Sequence, residues 1–237
     1  MIKLDTYSIK ARVYPALVVL LPLLVLAIYY ITDFKIYFQY ITAILSVGFL
    51  SYLLAQLGRD KGKLKEESLF NEMGGKPTTQ ILRHSNSYLD DTTKAKYHKG
   101  LSSKIQDIII PTKEQEVKNP EKADEIYNSC AKFLISKTRD TFKFNLLFKE
   151  NINYGFRRNL WGMKSWGITI LVCSLITHIL IVTDYLTNIS FKPTKDIYPY
   201  LAFLFLGLFW LIVVTKKWIK LTAFSYAERL YETIDEI

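Results

Sequence analysis

The chain has 237 residues, half of them hydrophobic, and its 31 Lys and Arg against 22 Asp and Glu leave a net charge of +9. A mean hydropathy of +0.11 with 22% charged residues passes for a soluble domain only because it averages two unlike populations. Two cysteines in unlike surroundings, Cys130 and Cys173, exclude a disulfide framework, and with three histidines at unrelated spacings they give no zinc signature.

In chain order, the first element is an apolar stretch over 13–32, followed after Asp33-Phe34-Lys35 by a second over 36–57; neither holds Asp, Glu, Lys or Arg. Each reaches the roughly 20 residues that a helix needs to cross the hydrocarbon core. In lipid such a run must satisfy its backbone internally, so both are predicted as helices of one hairpin. Pro22 removes a hydrogen bond inside the first. The first run is too long for a signal-peptide core, and no small-residue cleavage site follows it, so it is read as retained.

Residues 58–164 are different. They hold 21 Lys and Arg against 14 Asp and Glu, a net +7 of the chain's +9. After a basic helical stretch, Gly74-Gly75 predicts a break, with Lys76, then Pro77 opening a short helix that carries Thr78, Thr79 and Arg83. A glycine turn feeding a helix start is an anion site in principle, although the spacing is not that of a Walker A loop. A polar helix over 92–106 follows, then the apolar run Ile108–Ile110 and Pro111, read as a strand or a buried helix end. Asn86–Asp91 and 113–119 read as loops. From 121 to 149, Ala123, Ile126, Tyr127, Cys130, Phe133 and Leu134 mark one apolar face of an amphipathic helix with at most one break.

Arg157 and Arg158, beside Trp161 and Trp166, precede a third uncharged stretch over 165–183. That pattern fits a headgroup-level anchor as well as a ligand contact. Within the third stretch Thr169, Cys173 and Thr177 recur at four-residue spacing, a face for close packing or subunit contact. His178 is the one ionisable side chain inside any stretch, and bonding to a neighbouring hydroxyl explains it. The fourth stretch, 197–215, is aromatic-rich. Residues 216–237 are predicted as an amphipathic helix that either covers the central domain or lies along the inner leaflet.

The expected fold is an all-α membrane protein: four transmembrane helices as two hairpins, with a mainly helical cytoplasmic insert between helices 2 and 3. Its parts are an N-terminal hairpin (1–57), a basic cytoplasmic domain (58–164), a C-terminal hairpin (165–215) and the tail (216–237). Positive charges gather at the N-terminus, around the insert and after the last stretch, so both termini are expected in the cytoplasm of a bacterial inner membrane.

No G-x-S-x-G, H-E-x-x-H or kinase-type set is present, which leans against an enzyme, and no cofactor is expected. Aromatics for a stacking platform are sparse between 58 and 125, which argues against nucleic acid. The layout resembles that of membrane effectors and sensors in antiphage systems, and that resemblance implies a homo-oligomer that responds to a ligand. The expected function is a sensor or effector whose cytoplasmic domain binds an anionic ligand, a nucleotide or phospholipid headgroup, or a soluble protein partner, and alters the membrane helices. Arg59, Lys63, Gly74, Gly75, Lys76, Thr78, Thr79, Arg83, Arg157 and Arg158 are its candidate ligand-binding residues. The alternatives are a membrane-embedded enzyme acting on a phosphate-containing lipid or nucleotide, and a scaffold for a soluble partner.

Overall fold

The structure is a computed structural model that describes residues 5–30, 37–183 and 197–237, without the side chains of 37–47. The expected hairpin tips, 33–35 and 184–196, lie outside those residues. The fold is 82% helix with no strand among the described residues. In chain order the helices are α1 (Thr6–Tyr30), α2 (Tyr37–Glu72), α3 (Pro77–Gln80), α4 (Asp91–Lys104), α5 (Lys113–Lys118), α6 (Pro120–Lys137), α7 (Asn145–Gly162), α8 (Lys164–Val182), α9 (Tyr198–Val213) and α10 (Lys216–Glu236). They form two compact units: unit 1 from residues 1–65 and 155–218, unit 2 from 66–154 and 219–237.

Unit 1 is apolar on the outside as well as within. Val19, Leu160, Met163, Leu171, Phe203, Leu206, Trp210 and Val214 make its core. Phe205, Leu211, Ile212 and Leu204 are exposed on α9, and Val172 and Ile176 on α8. A helix hydrophobic all round belongs in a core or in lipid, and an apolar surface of this kind marks a membrane contact. Two described helices, α1 and α8, are long and apolar enough to cross a membrane, and a third if α9 and α10 count as one bent span.

Of the four spans expected from the sequence, two or three are found among the described residues. The second apolar stretch falls partly on residues whose side chains lie outside those described; it is the start of α2, a single helix of 36 residues that runs on to Glu72. The fourth ends early: after a π-helical turn at Phe209–Val213, Val214 leaves helical geometry (φ −77°, ψ 80°), and the chain bends by 59° into α10.

Within the chain the third stretch packs by a face other than the Thr169, Cys173 and Thr177 stripe, which overturns the packing role of that stripe and leaves it open to a subunit contact. Gly167, Leu171, Ser174 and His178 are buried, whereas Thr169, Cys173 and Thr177 are exposed. The Trp210 ring lies over Gly167, where any side chain would meet it. Nearby, α7 crosses α2 at a pair of glycines, Gly162 against the backbone of Gly62.

Unit 2 is built on α6, whose Ala123, Tyr127, Cys130, Ala131 and Leu134 are buried as the periodicity requires. Around them lie Leu82, Tyr97 and Leu101, then Phe144 and Leu147, then Ala227, Leu230, Tyr231 and Ile234 of α10. The tail therefore covers this core, the first of its two expected roles. Its Tyr231 hydroxyl donates to the Thr78 carbonyl at 2.6 Å.

The loop expected over 113–119 is corrected. Residues 113–118 are a helix, α5, because Thr112 and Gln115 form a reciprocal capping box that closes its first turn. The 121–149 stretch has the single break allowed for it: α6 stops at Lys137, and the Asp140 carboxylate accepts the Phe142 and Lys143 N–H groups at 2.9 and 3.1 Å. A side chain that caps backbone donors in this way starts a new turn in place of continuing the old one. Ile108–Ile110 forms neither strand nor helix; Ile108 and Ile110 lean on the core while Ile109 is exposed.

Candidate functional site

The glycine turn forms as the sequence predicts. Gly74 and Gly75 take positive φ (83° and 129°), which ends α2, and Pro77 opens α3 behind Lys76. Its donors and cations are already engaged within unit 2. The Gly74 and Gly75 N–H groups bond to Asn71 and Phe70 carbonyls, and those of Thr79 and Gln80 to the Lys76 carbonyl. Arg83 grips both oxygens of Asp124 on α6 with its planar fork and donates to the Gly74 carbonyl at 2.8 Å. Lys76 reaches Asn128 at 3.3 Å. Thr79 is buried and Thr78 half-buried.

The other candidates belong to unit 1. Arg59 is half-buried and Lys63 exposed on α2. Arg157 donates to the Trp218 carbonyl at 2.8 Å with its guanidinium 4.6 Å from that indole, and Arg158 donates to Asn159 at 3.3 Å. Lys61 over Trp166 and Lys65 over Trp161, at 5.8 and 5.2 Å, complete a set of three cation–indole pairs. Paired indoles and cations at the ends of apolar helices are the composition of a membrane-interface belt.

Glu116 on α5, which the sequence hides inside an apparent loop, organises the polar interior of unit 2. Its buried carboxylate accepts the His84 N–H (2.8 Å), the Tyr127 hydroxyl (2.8 Å), and the Ser85 N–H and hydroxyl (3.1 and 3.0 Å). Burial pushes this carboxyl up, but the hydrogen bonds from His84, Tyr127 and Ser85 outweigh it and hold it below the usual carboxylate range. Tyr127 is pushed well up from its ordinary value, by burial first and then by Glu116.

Two cavities flank this hub. The larger, about 480 Å³, lies where Ile109 and Pro111 face α5 and α6; Ala123 and Ile126 give it an apolar floor, with Lys118 and Lys122 at its edge. The smaller, about 330 Å³, is lined by His84, Asp91, Lys94, Ala95, His98 and Lys113. His84 and His98 meet edge to face at 4.8 Å, and His98 stacks on Tyr127. Burial pushes the His98 imidazole below its ordinary value.

In unit 1, His178 is fully buried and shares a hydrogen with the Tyr30 hydroxyl at 2.5 Å, the hydroxyl partner expected for it. Tyr29, Tyr200 and Phe203 surround the imidazole.

Glu116, Asp124 and Tyr30 were the residues that spacing alone could not mark. Each is defined by a partner at least eleven positions away, and only the capping pair Thr112 and Gln115 signalled that Glu116 sits on a helix. Comparison of the chain with protein-family models, with curated proteins and with solved structures gives no match in any of the three.

Proposed function

We propose that this chain is a four-span membrane sensor whose unit 2 binds an amphipathic anion and passes the event to the spans. The observation that carries the reading is the 480 Å³ groove: an apolar floor of Ala123 and Ile126 beside the ammonium groups of Lys118 and Lys122. Cavities of this size, mostly apolar with a few convergent polar groups, are the usual form of small-molecule sites. A ligand with a flat or aliphatic body and a phosphate or carboxylate end matches both halves, as a nucleotide or an acyl phosphate does.

Transmission rests on chain continuity. Helices α2, α7 and α10 each begin in one unit and end in the other, since the unit limits at 65, 154 and 218 fall inside them. A helix carries displacement along its axis better than a loop does. In this reading Arg157, Lys61 and Lys65 belong to the inner-leaflet belt, while Arg83 and Lys76 brace the turn that ends α2.

Binding is tested with the full chain in nanodiscs, using a fluorescently labelled nucleoside triphosphate and a short-chain acyl phosphate as probes. A charge-assisted hydrogen bond is worth about 1.5–3 kcal/mol. The Lys118→Ala/Lys122→Ala variant should therefore bind the preferred probe at least about tenfold more weakly, with 1.4 kcal/mol to each factor of ten. Preference for the nucleotide or for the acyl chain identifies the body of the ligand. No binding of either, or equal binding by the variant, would overturn the groove as the site.

Orientation follows from the charge distribution: both termini and unit 2 are placed in the cytoplasm. With Cys173, the exposed native thiol, changed to serine, Ser87→Cys should stay protected from an impermeant thiol reagent in intact cells and Asn188→Cys should react. The reverse pattern would invert the topology.

A further inference from the structure

The smaller cavity of unit 2 contains a pair of histidines with an unusual constraint. His84 Nε2 lies 2.9 Å from the Pro111 carbonyl and His98 Nε2 lies 2.8 Å from the Leu82 carbonyl. A carbonyl oxygen only accepts, so both Nε2 atoms carry hydrogen. Each neutral ring therefore keeps its lone pair on Nδ1, and neither Nδ1 has a partner among the described residues.

The surroundings are cationic. Lys94 is 3% exposed and its ammonium is fixed by the Asn86 and His84 carbonyls at 2.6 and 3.4 Å. Lys113 adds a second positive charge from α5, while Asp91, fully exposed 3.7 Å from Lys94, is the one carboxylate in the lining. Behind the rings, α5 contributes Glu116, bonded to the His84 N–H, and the exposed Glu114, near enough to interact electrostatically with His84, while α6 contributes Tyr127, stacked on His98, and Asp124, paired with Arg83.

Two imidazolium rings 4.8 Å apart beside two ammonium groups repel one another unless an anion lies among them. Conversely, an oxyanion that reaches the Nδ1 atoms meets lone pairs when the rings are neutral and N–H donors when they are protonated. Each event therefore favours the other.

We propose that this pocket is a proton-coupled site for a small soluble oxyanion of the phosphate class, bound by Lys94, Lys113 and the protonated pair His84 and His98. Ala95 is the only apolar residue of the lining, which leaves no surface for an acyl chain and selects a soluble ligand over a lipid headgroup. The site is separate from the Lys118–Lys122 groove and does not depend on it.

Sulfate is the right probe, because it does not itself titrate near neutral pH. Affinity for sulfate is measured by calorimetry on the full chain in nanodiscs at pH 7.5 and pH 5.5, in two buffers of different ionisation enthalpy. Binding should tighten about tenfold or more at the lower pH, with proton uptake on binding, as linkage requires. In His84→Gln/His98→Gln the glutamine amides still donate to the two carbonyls, so a thermal midpoint matching the parent at pH 7.5 serves as the folding control. That variant should bind sulfate at pH 5.5 no better than the parent does at pH 7.5. In the single variant His178→Gln, which removes the third histidine, the pH dependence should persist. Equal sulfate affinity at both pH values, or a pH dependence that survives the double substitution, would overturn the proposal. Stronger displacement of sulfate by a short-chain phosphatidic acid than by inorganic phosphate would overturn the choice of a soluble ligand.

Discussion

Replacing Gly162 with alanine should destabilise unit 1 strongly, because the methyl group would strike backbone. A Cβ at this position would lie 2.7 Å from the Gly62 nitrogen, 2.9 Å from its Cα and 3.2 Å from the Lys61 carbonyl carbon. All three are backbone atoms of α2, so no side chain can rotate away and the two helices must separate. Overpacking of this kind costs about 1–3 kcal/mol, and a backbone obstacle places Gly162 at the upper end. The reciprocal Gly62→Ala meets the Asn159 side-chain oxygen at 2.8 Å first. That amide can turn, at the expense of its 2.7 Å bond to the Ala11 carbonyl, so the loss should be smaller. Gly48→Ala is the control: nothing lies within 4 Å, and alanine favours a helix interior by about 1 kcal/mol. Unfolding of the three variants in mixed detergent micelles should rank Gly162→Ala below Gly62→Ala, and both below Gly48→Ala. A Gly162→Ala protein as stable as Gly48→Ala would refute the close crossing of α2 and α7.

Glu116→Ala should be the most damaging substitution in unit 2. It leaves four donors from His84, Ser85 and Tyr127 without their acceptor, in a site where Glu116 itself is 5% exposed. Hydrogen bonds to a charged group are worth about 1.5–3 kcal/mol each, and strandings within one network are not additive, so a loss on the order of 3 kcal/mol is expected. Glutamine should recover little. Oε1 accepts from Ser85 and Oε2 from His84 and Tyr127, so the new amide group must face a donor whichever way it is turned.

The pH dependence has a definite sign. The folded-state carboxyl is held below its ordinary value, so its contribution is complete above the unfolded value of about 4.3. It is lost as pH falls through the lower folded value. Hydrogen exchange across residues 84–119 should accelerate in Glu116→Ala at neutral pH. It should accelerate in the parent only under acid. Unchanged protection in the alanine variant would show that Glu116 does not hold this segment.

The sequence was read correctly where a single glycine or proline acts on its own neighbourhood. Gly74-Gly75 had to end α2 because those φ values suit glycine, and Pro77 had to open a helix because its missing N–H is not needed there. The buried stripe of α6 followed from period alone. The charge of 113–119 points to a loop, whereas the reciprocal Thr112–Gln115 cap makes 113–118 the helix α5. The face by which α8 packs within the chain is not encoded in its spacing. Thr169, Cys173 and Thr177 and the buried set Gly167, Leu171, Ser174 and His178 have equally good helical spacing, and only the neighbours on α1 and α9 choose between them.

By itself, then, the sequence determined a helical chain with stretches long and apolar enough to cross a membrane and with a basic helical portion, because hydropathy and period are local quantities that survive without knowledge of partners. Tertiary structure alone decided which charges are spent and which are open. Arg83 meets Asp124 across 41 positions and His178 meets Tyr30 across 148, whereas the His84 and His98 rings are brought edge to face with no partner for their Nδ1 atoms among the described residues. Whether a cation is available to a ligand depends on the nearest opposite charge in space, and no spacing along the chain encodes that distance.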